Sequence, residues 1–348
     1  MCKTEYNNAP KSLDAFVWID NEDRTDPAFN LALEEYALRN LRQDRDYLLL
    51  YRNSPSVIVG RNQNILEEVD DFYVRKTGVQ VLRRLSGGGA VYHDPGNLNF
   101  SFITKYEQSR LHNFRFFNEP LVKVLRSLGV PAEMNDRNDI LAGGRKISGN
   151  AQFSSRGRMV SHGTLLFNAD LVEVDRTLTG RMRNITSRSH KSVRSNVANI
   201  TEFLPAPMDI HTFRQRLLEG LVMDGISIRR YGLSESDLRE IHEIRETKYL
   251  SWEWNRGRSP KFQVSRNGRT AAGPYTVHLQ VNKGNITEVT FTMDSQQENR
   301  LSQIGKILSG IRYEPGEIAS ALHQNRALLP EHVAAEDLAR LLYGEDEP

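Results

Sequence analysis

The chain contains a single cysteine, Cys2, which rules out disulfides and multi-cysteine metal sites. It contains no apolar run near the roughly 18 residues that a membrane helix requires. The stretch from Met1 to Asp14 has no apolar h-region and carries Glu5 and Asp14, which argues against a secretory signal. It also lacks the Arg-rich amphipathic character of a mitochondrial presequence. Charge of one sign is absent too: 46 Lys and Arg face 44 Asp and Glu, a formal net charge of +2. So small an excess gives no chain-wide grip on nucleic acid, although it allows a local basic patch. Internal repeats and low-complexity tracts are missing. What is present is apolar material, 39% of 348 residues, enough for a sizeable core and for more than one domain. The expectation is a soluble, cytoplasmic protein, with a mature mitochondrial form that has shed its presequence left open.

Along the chain, Val17 to Asp20 reads as a short strand and Asp26-Pro27 as a helix start, the aspartate suiting the cap and the proline the first turn. The helix that follows carries Phe29, Leu31, Leu33, Tyr36 and Leu38, with Glu34 and Glu35 between them. Tyr47 to Tyr51 and Ser56 to Gly60 read as two buried strands joined by a turn at Asn53-Ser54-Pro55. Gln80 to Arg84 and Asn97 to Ile103 are further strands, and Glu119 to Leu128 is a helix closed by Gly129 and Pro131. A helix over Ile210 to Gly220 is expected to end the first domain, with a boundary in the polar stretch Gly232 to Ser236. Beyond it come a charged helix, a Trp-rich turn (Ser251 to Trp254), strands at Tyr275 to Val281 and Asn285 to Met293, and two helices. Short strands, hairpin turns and separate helices predict an α+β fold rather than regular βαβ alternation.

Three segments carry chemistry. Arg83-Arg84-Leu85-Ser86-Gly87-Gly88-Gly89-Ala90-Val91-Tyr92-His93-Asp94 places three glycines directly after a strand, where they cost backbone entropy. Glycines let several main-chain N–H groups converge on one anion, and the adjacent arginines are candidates for charge-assisted bonds to the same phosphate. The bland alternative is a flexible turn beside two solvated arginines, and the segment alone does not decide between them. It is neither a Walker A loop nor a G-x-G-x-x-G fingerprint. Asn138 to Ala151 reads as strand, Gly143-Gly144 hairpin turn, strand, with Lys146 opening the return strand. A lysine there chooses between solvent and an anionic partner, because it is not buried unpaired. Small neighbours, Gly144 and Ser148-Gly149, leave room for a ligand. Ser161-His162-Gly163-Thr164 opens an apolar strand; taken alone, His162 reads as a strand-end histidine with a satisfied hydrogen bond.

From Arg176 to Thr201 there is no acidic residue, while Arg176, Arg181, Arg183, Arg188, Lys191 and Arg194 are basic. Either this is a solvated loop or it is a lid over a polyanionic ligand or a dock for an acidic protein. No Ser-His-Asp order, H-E-x-x-H pair or metal-ligand cluster stands out.

Taken together, these segments resemble the lipoate–protein ligase A family, whose catalytic domain is related to biotin ligases. The matching residues run in family order over residues 16 to about 200: Phe29 to Tyr36, Arg83-Arg84-x-Ser86-Gly87-Gly88-Gly89-Ala90-Val91-x-His93-Asp94-x-Gly96-Asn97-Leu98, Asn138-Asp139, Gly144 to Ala151, His162 to Leu166, and Ser192 to Ile200. Thr247 to Phe262 looks like the start of the family's small C-terminal accessory domain. The resemblance implies a catalytic lipoate- and adenylate-binding domain over 1–230 and an α+β accessory domain over 231–348. It also implies two steps: lipoate attacks the α-phosphate of ATP to give lipoyl-adenylate and pyrophosphate, and an acceptor lysine then displaces AMP. Acceptors would be the lipoyl domains of 2-oxoacid dehydrogenase E2 subunits and the glycine cleavage H protein, with ATP, lipoate and Mg2+ as small-molecule requirements. No nucleic-acid or membrane partner is expected, and the chain is expected to act as a monomer.

Carried over residue by residue, Arg84, Gly89, Ala90, Val91, Tyr92 and Arg194 would hold the nucleotide, with Asn138 and Asp139 near the adenine and the magnesium-phosphate region. Ser86, Gly87, Gly88, Val91, His162 and Gly163 would border the lipoate. Lys146 would contact both the acyl oxygen and the phosphate, and Gly180 to Asn196 would close over the adenylate. Related octanoyltransferases use a cysteine nucleophile, for which Cys2, far ahead of the fold, is no candidate. Biotin ligases usually carry a different, arginine-alternating glycine loop. A lipoyltransferase that accepts preformed lipoyl-adenylate is the alternative to a full ligase, and a non-catalytic binding protein is the alternative from another class.

Overall fold

The computed structural model describes residues 15–180, 184–193, 195–270, 273–293, 298–329 and 333–344. It begins with β1 (Ala15–Asp20), α1 (Pro27–Arg39), β2 (Tyr47–Tyr51) and β3 (Ser56–Val59). Asp26 caps α1 by accepting from the Ala28 N–H at 3.0 Å, and Pro27 fills the first turn, as its sequence requires. Every residue of α1 from Pro27 to Leu38 is buried, including Glu34 and Glu35, so this is an interior helix and not an amphipathic one.

The short α2 (Ile65–Glu68), α3 (Asp71–Thr77), β4 (Gln80–Arg83) and β5 (Val91–His93) precede the nine-residue β6 (Asn97–Lys105) and α4 (Phe114–Ser127). The last begins five residues before its expected start, because Asn113 caps it at the Phe116 N–H. Next come β7 (Ala132–Met134), β8 (Ile140–Ala142), β9 (Arg145–Ser148), β10 (Asn150–Ser155) and β11 (Arg158–Leu166). Gly143 and Gly144 join β8 to β9 with φ of +55° and +74°, the pair of positive values a tight hairpin needs. His162 lies in the middle of β11 and not at its opening. The first part closes with α5 (Leu171–Thr177), β12 (Ile185–Ser187), α6 (Ile210–Met223) and β13 (Ser227–Gly232).

The main sheet has six strands in the order β10-β11-β6-β2-β1-β13, and a smaller one has the order β4-β3-β5. Thus β2 and β3, expected to pair across their turn, belong to different sheets. Both are buried on both faces, so each needs its own neighbours, and Asn53 to Pro55 carries the chain from one sheet to the other. A third sheet is β7-β8-β9.

The domain boundary set at residue 231 falls inside β13, which runs parallel to β1 in register from Ala15↔Ser227 to Asp20↔Gly232. The chain stays on this first unit through α7 (Glu235–Ile244) and the turn beyond it. There Asp237 accepts from the Tyr36 hydroxyl at 2.6 Å, and Lys248 and Tyr249 donate to the buried Glu35 at 2.6 and 2.9 Å. The expected Trp-rich turn is a short helix, α8 (Trp252–Asn255), capped by Ser251. Then β14 (Phe262–Thr270), β15 (Gly273–Asn282) and β16 (Asn285–Met293) join β12 in a sheet of order β12-β14-β15-β16. Three helices follow among the described residues, α9 (Glu298–Leu308), α10 (Pro315–Gln324) and α11 (Ala335–Tyr343), where two were expected. The core of this C-terminal unit also takes in Leu66 and Phe72 from α2 and α3, so the two units are packed into each other.

Candidate active site

The glycine loop leaves the end of β4 and is shaped by its own arginine. Arg84 donates from Nη2 to the carbonyls of Gly87 at 2.6 Å and Gly89 at 2.8 Å, from Nη1 to Ile58 O at 3.0 Å, and from Nε to Ser86 Oγ at 2.9 Å. Those bonds occupy the carbonyls of Gly87 and Gly89. The N–H groups of Gly87, Gly88 and Gly89 have no acceptor among the described residues, which is the donor nest an anion requires. Gly88 sits at φ +89°, where an L side chain is strained, and a Cβ on Gly60 would collide with the Gly88 carbonyl. The Ala90 N–H donates to Ser192 Oγ at 2.9 Å, so the loop around residue 190 already covers one of these donors. Ser192 is held in turn by Gln63 at 3.1 Å and, through its own N–H, by Glu68 at 3.2 Å.

Below the loop lies a cavity of about 290 Å³ bordered by Arg84, Gly88, Gly89, Val91, Asp139, Lys146, His162 and Gly163. A second chamber, about 230 Å³, is walled by Tyr92, Leu166, Leu171, Val174, Leu178 and Val197. Lys146, Ala90, Val91, Ser192 and Val193 border both. Lys146 therefore borders both a chamber of mixed polarity and a more apolar one. Its Nζ lies 2.9 Å from Asp139 Oδ1, and its backbone is clamped by Asn196 O and the Ala198 N–H, both at 2.9 Å. The chain beyond the basic stretch thus pairs directly with the lysine strand.

A chain of buried hydrogen bonds supports the first chamber from behind. His162 Nδ1 lies 2.8 Å from Glu34 Oε2, and His162 Nε2 lies 2.7 Å from Ser86 Oγ. An ionised Glu34 only accepts, so Nδ1 carries the proton and, in the neutral ring, Nε2 accepts from the Ser86 hydroxyl. Burial pushes the Glu34 carboxyl up, but His162, Ser101 and Arg84 together outweigh it and hold it below the usual range. Burial pushes Arg84 down to about 10, still a cation at neutral pH. It pushes His93 down to about 3, helped by Arg84 and His162, so this ring is neutral. His93 Nδ1 accepts from the Asn53 amide at 3.0 Å, and Asn53 Oδ1 accepts from Asn30.

The residues singled out from sequence fall into three groups. Arg84, Gly88, Gly89, Ala90, Val91, Asp139, Lys146, His162 and Gly163 are brought together on the main cavity wall, and Tyr92 lines the second chamber. Ser86, Gly87 and Asn138 are not on either wall. Ser86 is fully buried behind the wall, with Arg84 and His162 on its hydroxyl. Asn138 is a turn residue at φ +66° whose carbonyl accepts from Asn150. Arg194 lies outside the described residues, as do Arg181 and Arg183. Arg83, expected beside Arg84 on a phosphate, turns its guanidinium away to backbone carbonyls. The strand-end histidine reading of His162 understated it, because Glu34, 128 positions away in α1, was not recognised as its partner. The signal was there: two acids inside an otherwise apolar helix.

Residues 26–222 match the lipoyl protein ligase A/B catalytic domain, and residues 259–342 match the bacterial lipoate protein ligase C-terminus. Lipoate-protein ligase LplJ of Bacillus subtilis (strain 168) is 44% identical over 330 residues, 94% of this chain and 100% of that protein. The structure of a putative lipoate protein ligase from T. acidophilum with bound lipoic acid has a TM-score of 0.59 at 31% identity, covering 71% of this chain and 100% of that one. A crystal structure of lipoate-protein ligase A bound with ATP has a TM-score of 0.58 at 31% identity, covering 71% of this chain and 99% of that one. With the catalytic and C-terminal regions both matched and the site's glycine loop and lysine strand in place, the chain belongs to the lipoyl protein ligase A/B family.

Proposed function

We propose that the protein activates lipoate with ATP and transfers the lipoyl group to a lysine of an acceptor protein. The observation that carries this reading is the position of Lys146, which borders both chambers and shares the wall of the first with Gly88 and Gly89. In the first step a carboxylate oxygen of lipoate attacks the α-phosphorus of ATP, the bond to pyrophosphate breaks, and a mixed anhydride forms. One fixed ammonium reduces the repulsion between the two reacting anions, and preorganised amides stabilise charge that grows on the phosphate. In the second step the acceptor's ε-amine attacks the acyl carbonyl, AMP leaves, and the amine sheds a proton. The first chamber, with His162 and Gly163, takes the acyl part. The more apolar chamber beside Tyr92 takes the nucleotide base.

Among the described residues no group of three His, Cys, Asp or Glu forms a metal site. The single carboxylate on the main cavity wall is Asp139, paired with Lys146. This donor set fits Mg2+ only as the companion of the triphosphate, where one protein carboxylate suffices. The cation would neutralise phosphate charge there. The acceptor is a lipoyl domain presenting its lysine, as in E2 subunits or H protein. The exposed Arg176 and Lys191 already have local partners, Glu173 at 3.1 Å and Glu67 at 3.4 Å, so acidic acceptors meet partly neutralised charges.

The test is pyrophosphate release from ATP with lipoate and no acceptor. Release supports the ligase reading. No release, together with acceptor modification from supplied lipoyl-adenylate, replaces it with a lipoyltransferase.

A further inference from the structure

Arg83 is a buried cation without a carboxylate partner among the described residues. Its side chain is fully buried, and every bond it makes goes to neutral oxygen. Nη1 donates to Gly60 O at 2.9 Å and Gln63 O at 2.8 Å; Nε donates to Asn255 O at 2.9 Å and Nη2 to Ser259 Oγ at 3.2 Å. The main chain of Arg83 is gripped from the same side, its N–H donating to Asn255 Oδ1 at 2.9 Å and its carbonyl accepting from Trp254 Nε1 at 2.7 Å. A buried charge held only by dipoles is costly, and a planar fork with five donors is the side chain that spans such a cage.

The two halves of the cage lead to different places. The 60–63 turn leads to the candidate site: Arg61 N–H donates to Ser86 O at 2.8 Å, Gly60 packs on the Gly88 carbonyl, and Gln63 holds Ser192. The 252–259 segment leads to the C-terminal unit: Trp252 donates to Glu314 at 2.9 Å, Arg256 lies 3.4 Å from the same carboxylate, and Arg312 lies over the Trp252 ring. Arg83 touches neither chamber.

We propose that Arg83 is a positioning residue that transmits the seating of the 252–259 segment to the glycine loop. With that segment docked, the Gly60–Gln63 turn is fixed and with it Gly88 and the Ser192 contact. With the segment undocked, the turn loses its anchor and the amide nest loosens. This inference deepens the ligase reading by naming what holds the nucleotide wall in place.

The experiment uses the full chain. Asn255→Ala, which lies far from both chambers, and Arg83→Lys, which keeps charge but not the fork, are compared with the unaltered protein by amide hydrogen exchange without substrates. The expected result is exchange about tenfold faster at the hydrogen-bonded amides of Gly60, Arg61, Gln63 and Ala90 in both variants, with β6 unchanged. The KM for ATP rises about fivefold while kcat stays within about twofold. Unchanged exchange at Arg61 and Ala90 in Asn255→Ala, exchange in Arg83→Lys equal to that of the unaltered protein, or an equal acceleration in β6 overturns the proposal. Failure of the ligase reading shows up separately, as an unaltered protein that releases no pyrophosphate.

Discussion

The ammonium of Lys146 rests 2.9 Å from the carboxylate of Asp139, and both side chains stand on the cavity wall. A half-buried lysine needs an anion, and Asp139 supplies it until a carboxylate or phosphate arrives. The pair therefore explains how the site keeps a cation in place before substrate binds. Lys146→Ala is expected to fold and to lose both partial reactions, adenylate formation falling by about 10² to 10³, the usual cost of one preorganised donor to a developing charge. Pyrophosphate release and single-turnover transfer from lipoyl-adenylate measure the two steps. Near-normal transfer by the variant would sink the role given to Lys146.

Glu34 is fully buried and bonded to His162 and Ser101. Burial pushes its carboxyl up, but His162, Ser101 and Arg84 hold it below the usual carboxylate range, so its contribution to stability is present above the unfolded value and is lost as pH falls through the folded value. Glu34→Gln keeps the size, removes the charge and replaces one acceptor oxygen with an NH2 donor, so one of His162 and Ser101 loses its acceptor. The expected loss is about 1–3 kcal/mol at neutral pH, the cost of an unsatisfied buried partner. Urea melts at pH 7 and pH 4 check it: the gap between unaltered protein and variant is expected to narrow at the lower pH.

His93 gives a second acid response by a different route. Its ring is neutral in the fold, with a value of about 3 against 6.5 unfolded. Between those values the unfolded chain binds a proton that the folded one refuses, so stability rises with pH across the window and falls on acidification. From pH 7 to pH 5 this amounts to about 2 kcal/mol. His93→Asn keeps an acceptor for the Asn53 amide and removes the titration. Its stability is expected to depend less on pH over that window than that of the unaltered protein; parallel curves would refute the assignment.

How much of this was legible in the sequence depended on whether the cause was local. The Gly143-Gly144 hairpin was readable because two positive φ values in a tight turn demand glycine. The cap of α1 was readable because Asp26 and Pro27 are adjacent. That Lys146 borders open space was readable because small residues flank it in the chain. What failed was long-range. β2 and β3 look like a hairpin, and only the placement of Asn53 between Asn30 and His93 sends them to separate sheets. The boundary at 231 followed a polar stretch, while β13 is fixed by its partner β1, some 210 residues earlier. Ser86 looked like a ligand contact because it neighbours the glycines, yet its hydroxyl is taken by Arg84 and His162 behind the wall.

The Ala90 N–H leads to the last prediction. Ala90 borders both chambers, and Ser192 Oγ occupies its N–H at 2.9 Å. A nucleotide that uses this donor must first displace the hydroxyl, so part of its binding energy goes into breaking the contact. One neutral hydrogen bond is worth about 0.5–1.5 kcal/mol net, which corresponds to roughly a two- to tenfold change in affinity. Ser192→Ala is expected to lower the KM for ATP by that factor, because Ala90 then meets no internal competitor. The same variant also frees Gln63 Nε2 and loosens the segment between Ser187 and Val193, whose remaining anchors are Glu67 and Glu68. Release of the bound adenylate is therefore expected to quicken even as ATP binds more tightly. Equilibrium binding of ATP and the off-rate of a non-hydrolysable lipoyl-adenylate analogue separate the two effects. A variant that binds ATP more weakly would show that Ser192 assists the nucleotide and does not stand in for its phosphate.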